Sequence, residues 1–237
     1  MVVTKYTELT KTMQKSFLRH VRPALWNAVF VVCMLAPLHA VDTKNIVFFG
    51  DSLTAGYGLE SAATDAYPAL IQQKIDALAA TLPDPAAAVR WHVINAGLSG
   101  ETTAGGSRRI DWILRQPVDI FVLALGGNDG LRGIDPAVSQ KNLQSIIDRV
   151  RDRYPAAKII IAGMMMPPSM GEDYARAFAA MYPALAKKNR LTLVPFLLKD
   201  VGGYADLNQA DGIHPTPAGH AVVATTIWPV ILRALTP

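Results

Sequence analysis

From residue 44 onward, short apolar runs alternate with longer amphipathic segments. "NIVFF" (45–49), "VRWHVIN" (89–95), "VDIFVLAL" (118–125), "KIIIAG" (158–163) and "LTLVPF" (191–196) read as five strands. Their near-continuous hydrophobicity is what a strand covered on both faces requires, and it predicts a parallel sheet. Helical periodicity fills the intervals at 67–82, roughly 101–115, 136–154, 173–189 and about 216–234. In the 136–154 segment, Val138, Leu143, Ile146, Ile147 and Val150 form one apolar stripe, with Lys141, Asp148, Arg151 and Asp152 outside it. The β–α–β–α order implies right-handed crossovers and an α/β class fold, a three-layer α/β/α sandwich. Ligands of such folds sit beyond the carboxyl ends of the strands. Those ends carry "GDS", "NAGLSGETTAGG", "GGNDG" and "MMMPPSMGED", where small and polar residues accumulate.

The 237 residues suffice for one domain with a sizeable core. A net charge of +4 invites a nucleic-acid reading, but Lys5, Lys11, Lys15, Arg19 and Arg22 against Glu8 account for all of it within residues 1–40. The remainder is neutral overall and offers no basic footprint for phosphate backbones. The same leader has the layout of a secretory signal. A basic region ends at Arg22, "AVFVVCMLAP" supplies an apolar run of about ten residues, and "LHA" puts a small residue, Ala40, at a cleavage point. A spanning helix needs roughly 20 apolar residues, so a retained anchor fits less well. Residues 1–40 are expected to be a signal peptide and 41–237 the functional domain, periplasmic or secreted, monomeric and without a stable membrane span. Met13 could serve as the start, since "MQKSFLRHVRP" is basic enough by itself. The single cysteine, Cys33, falls inside the leader, so the mature chain would have no disulfide, thiolate metal site or cysteine nucleophile.

A serine hydrolase needs a hydroxyl, an imidazole to take its proton, a carboxylate to orient the imidazole and donors for the developing oxyanion. Ser52 directly follows the first strand, where a Gly-assisted turn can present its Oγ; as an isolated motif it could equally cap a helix. "DGIHP" places Asp211 and His214 three residues apart in one loop, close enough for the carboxylate to meet Nδ1 and leave Nε2 for Ser52. Taken alone, this is also an ordinary helix-initiating turn. "GGND" brings Asn128, whose side-chain amide can donate to an oxyanion, and Gly97 can offer a backbone N–H from the end of the second strand. A metal site from Asp211, His214 and His220 matches no standard zinc spacing. His92 reads as a packed or rim histidine of the second strand, and His220 as a structural residue of the last helix.

"FFGDSLTAGYG", "NAGLSGETTAGG", "LALGGNDGLRG" and "DGIHPTPAGH" resemble, in order, the four sequence blocks of the SGNH hydrolases, or GDSL lipase/esterase superfamily. The similarity covers residues 45–234 and is strongest to the bacterial periplasmic thioesterase I/lysophospholipase/arylesterase group. The resemblance implies a five-stranded parallel sheet in flavodoxin-like layering. It implies Ser52 as nucleophile, His214 as general base and Asp211 as its orienting acid. Ser52 N–H, Gly97 N–H and the Asn128 side chain would form the oxyanion hole, and no cofactor or metal is required. The expected substrate is a small-molecule acyl ester or thioester, with Leu131, Met165, Met166 and Pro167 lining an acyl groove. A carbohydrate acetylesterase using the same machinery is the enzymatic alternative. Two rivals remain: an α/β-hydrolase elbow at "GLSGE" with Ser99 as nucleophile, whose fifth position is Glu101, and a non-catalytic flavodoxin-like phosphate or nucleotide binder.

Overall fold

The computed structural model describes residues 43–84 and 89–236; the leader, Cys33 and the Ala40 cleavage point lie outside the described residues. In chain order the elements are β1 (Thr43–Gly50), α1 (Ser52–Ala55), α2 (Ala62–Asp65), α3 (Tyr67–Ala80), β2 (Arg90–Asn95), α4 (Thr103–Ile113), β3 (Ile120–Ala124), α5 (Gly127–Leu131), α6 (Pro136–Arg153), β4 (Lys158–Ala162), α7 (Glu172–Asn189), β5 (Thr192–Val194) and α8 (Pro217–Leu235). Single 3₁₀ turns occur at Pro168–Met170 and Ala205–Leu207. The strands form one parallel sheet in the order β2-β1-β3-β4-β5. Helices α4, α6 and α7 pack side by side as one layer, and α3 packs with α8 in the other.

Burial follows position in the sheet. Every residue of central β3 is buried, as are Ile46–Gly50 of β1. Edge strand β2 departs from the two-faced burial expected of all five strands, since Arg90, His92 and Asn95 are exposed. Its polar alternation is the reason, because an edge strand needs only one apolar face. The outer edge of β2 is nonetheless partnered: the Val93 N–H donates to Gln72 Oε1 (2.7 Å) and Gln72 Nε2 donates to the Trp91 carbonyl (3.1 Å). A side-chain amide of α3 thus stands where a sixth strand's peptide would.

Helix α6 corrects one assignment in its stripe. Val138 is 50% exposed, and Ser139 is buried in its place beside Leu143, Ile146, Ile147 and Val150. Ser139 can be buried because its Oγ donates to the buried Asp129 carboxylate (3.0 Å). Helix α8 is long and apolar enough to cross a bilayer by length and composition, but seven of its residues are buried against the fold.

The chain leaves β1 in one direction to build β2 and returns on the other side of β1 to build β3. The crevice at this switch lies between the carboxyl ends of β1 and β3, which end at Gly50 and Ala124. Ser52 follows one and Asn128 the other.

Candidate active site

Gly50 and Asp51 set the position of Ser52. A Cβ at Gly50 would fall 2.0 Å from Thr54 Oγ1 and 2.9 Å from the Ala124 carbonyl, so only glycine lets the chain turn this tightly against β3. Asp51 caps α1 through its side chain, accepting from the Leu53 N–H at 3.1 Å. Ser52 is therefore the first residue of the helix, where an N–H has no intrahelical acceptor. Burial raises the Asp51 pKa to about 6, opposed by the Leu53 N–H and by the charge of His214.

The loop before α8 brings the other two groups. Ser52 Oγ lies 2.9 Å from His214 Nε2, and His214 Nδ1 lies 2.7 Å from Asp211 Oδ2. The second carboxylate oxygen accepts from the Ile213 N–H (2.9 Å) and the His214 N–H (3.0 Å). Asp211 thus folds its own loop around itself while holding the ring. These bonds lower its pKa to about 2, the His214 backbone N–H being the largest cause, followed by the His214 ring and the Ile213 N–H. With Asp211 ionised, Nδ1 carries the proton and Nε2 is left to accept from the Ser52 hydroxyl. The Tyr57 ring covers the imidazole, centroids 4.6 Å apart.

Asn128 is the second residue of α5 and lines the same cleft. One Nδ2 hydrogen donates to the Glu101 carbonyl at 3.1 Å, which fixes the amide plane. Gly126 before it takes φ 122° with Tyr182 Oη 2.3 Å from where its Cβ would be. Gly97 departs from expectation. Its N–H is spent on Asn95 Oδ1 (3.0 Å). Glycine is required there for packing, because a Cβ would fall 2.3 Å from the Ala55 backbone nitrogen. Three residues on, Gly100 adopts φ 78°, its carbonyl accepts from Arg132 Nη2 (3.1 Å), and its N–H has no acceptor among the described residues. "NAGLSGE" contains both glycines, and spacing alone does not say which N–H its neighbours consume.

The cleft has a volume of about 530 Å³ and is mostly apolar. Leu131, Met165, Met166 and Pro167 all line it, as the sequence suggests. Phe196, Leu198 and Ile213 line it too and were not expected; the first two follow β5, so the strand-end rule could have found them. A hollow of about 600 Å³ along β2 contains none of Ser52, His214 or Asn128, so size does not select the site.

The remaining candidates separate from this centre. Ser99 is exposed in the turn after β2, with no imidazole bonded to it among the described residues. His92 is exposed on β2. His220 is not hydrogen-bonded to Asp211 or His214: it is buried, its Nδ1 accepts from the Tyr67 N–H (3.2 Å), and its ring stacks on Tyr67.

A family model described as the GDSL-like lipase/acylhydrolase family matches residues 48–222. The chain is 36% identical over 211 residues to "Esterase TesA" of Pseudomonas aeruginosa, covering 89% of this chain and 98% of that protein. It is 32% identical over 200 residues to "Thioesterase 1/protease 1/lysophospholipase L1" of Escherichia coli, covering 84% and 88%. Among solved structures, a crystal structure of TesA matches with a TM-score of 0.72 and 35% identity over 81% of this chain and 99% of that one.

Proposed function

The chain belongs to the GDSL-like lipase/acylhydrolase family, and on that premise we propose how its residues divide the work of ester hydrolysis. It is an SGNH-type hydrolase of ester bonds. Ser52 Oγ attacks the acyl carbonyl while His214 Nε2 takes its proton, and Asp211 holds the imidazolium that forms. The tetrahedral oxyanion is met by the Ser52 N–H, the second Nδ2 hydrogen of Asn128 and, in place of Gly97, the N–H of Gly100. Collapse expels the alkoxide or thiolate, which leaves with the proton from His214. Water then repeats the sequence on the acyl-enzyme and releases the acid.

The observation that carries this reading is the unbroken chain from Ser52 Oγ through His214 to Asp211, 2.9 Å and 2.7 Å. The apolar wall supports esters with short-to-medium acyl or aryl groups, thioesters and lysophospholipids included, over an acetylated carbohydrate. Adaptable methionines favour breadth over a single acyl shape. We further propose that the leader is removed near Ala40, that the mature protein is exported and monomeric, and that α8 serves the core rather than a membrane.

Hydrolysis of p-nitrophenyl esters by the wild type, Ser52→Ala and Ser99→Ala tests the assignment. Ser52→Ala should lose activity and Ser99→Ala keep it. The opposite pattern would place the nucleophile on the turn after β2.

A further inference from the structure

Glu101 is a buried carboxylate outside the catalytic chain, and its partner is Arg109 of α4. Arg109 Nε donates to Glu101 Oε1 at 2.9 Å, Nη2 bonds the other carboxylate oxygen, and Nη2 also donates to the Ala96 carbonyl at 2.9 Å. One guanidinium therefore ties both ends of the 96–101 turn. It sits 4.5 Å over the Phe49 ring, three residues before Ser52 on the chain. Neither Arg109 nor the 96–101 turn lines the cleft; Asn128, bonded to that turn, does. Within the turn, Gly97 packs on Ala55 of α1, and Asn95 Nδ2 donates to the Thr54 carbonyl (2.8 Å). On the other side, consecutive carbonyls of Gly100 and Glu101 accept from Arg132 and Asn128, one helical turn apart on and after α5.

An amide donor works on an oxyanion only if its plane is fixed before the charge develops. The Asn128 plane is fixed by its bond to the Glu101 carbonyl, and the position of that carbonyl is set by the turn that Arg109 staples. We propose that Arg109, through Glu101 and Ala96, is a positioning residue that aims the Asn128 amide at the oxyanion. This rests on the reading of Asn128 as an oxyanion donor. A plain structural ion pair would alter stability alone, whereas a positioning pair alters transition-state binding more than substrate binding.

The test uses Arg109→Leu combined with Glu101→Leu, which leaves no lone buried charge. Arg109→Lys serves as the second variant, because it keeps the charge but cannot reach both acceptors. A misaimed donor should lower kcat on a p-nitrophenyl ester about 10–100-fold, with KM changed less than about twofold. Affinity for a boronic acid, which forms a tetrahedral adduct on serine, should fall in step with kcat. In an Asn128→Ala background, the same substitutions should cost less than about threefold, since the donor they aim is gone. Unchanged kcat in either variant, or full additivity with Asn128→Ala, overturns the positioning role. If Asn128→Ala itself keeps full activity, the oxyanion reading fails and the positioning role fails with it. Loss in Asn128→Ala without loss in the Arg109 variants sinks the positioning role alone.

Discussion

Ser52 sits where three local demands meet: a glycine before it that tolerates contact with β3, a carboxylate that caps its helix, and an N–H with no helical acceptor. The capping role, evenly weighed against catalysis from the sequence, belongs to Asp51, and this leaves the Ser52 hydroxyl for His214. Asn128 carries the most exposed part of the mechanistic reading. Asn128→Ala should reduce kcat on the order of 10²–10³-fold with little change in KM, and steady-state kinetics on an aryl ester check it. A rate close to wild type would remove Asn128 from the oxyanion hole. The sequence pointed to Ser52, His214 and Asp211 because few side chains could fill such roles, one directly after β1 and two in the loop before α8, and the structure brings the three within hydrogen-bonding distance. It did not predict which glycine of "NAGLSG" keeps a free N–H, because that depends on a bond made by Asn95. Val138 and Ser139 exchange places for a similar reason: a buried hydroxyl is acceptable only when an acceptor such as Asp129 waits for it.

At the scale of elements, the long helices and all five strands declare themselves by period and length. The four- and five-residue helices α1, α2 and α5 are too short for periodicity to register, and two of them carry the site. The junction of α3 and α8 was legible only as a structural histidine. Ala66 offers no side chain to cap α3, and His220 of α8 supplies the acceptor to the Tyr67 N–H instead. The acceptor nitrogen must be unprotonated, and burial lowers the His220 pKa to about 4. Between about pH 4 and the unfolded value near 6.5, the unfolded chain holds more of this proton than the folded one, so stability from this group falls as pH drops. The loss is about 3 kcal/mol at most. Asp51, raised to about 6 by burial, runs the other way: the folded state holds its proton more tightly, which favours the fold as pH drops toward 3.8. Comparing wild type with His220→Gln isolates the histidine. The stability gap from urea unfolding should narrow between pH 7 and pH 4.5, and a gap independent of pH would contradict the neutral-acceptor role.

At the scale of the molecule, the order β2-β1-β3-β4-β5 opens a crevice between β1 and β3, and the sequence blocks after each strand converge on it. Ser52 and Asn128 lie between the two strand ends, and most of the apolar wall comes from segments after β4 and β5, with Leu53 and Leu131 completing it. This division matches acyl transfer, in which one end of the substrate reacts and the other is simply removed from water. The central claim is that this crevice holds one activated serine and that it is Ser52. Treatment with an alkyl phosphonate bearing a p-nitrophenyl leaving group, followed by peptide mass spectrometry, tests it most directly. The predicted result is one adduct per chain, on the peptide containing Ser52, with release of one p-nitrophenolate and no adduct in Ser52→Ala. Labelling at Ser99, or labelling that persists at full extent in Ser52→Ala, would contradict it.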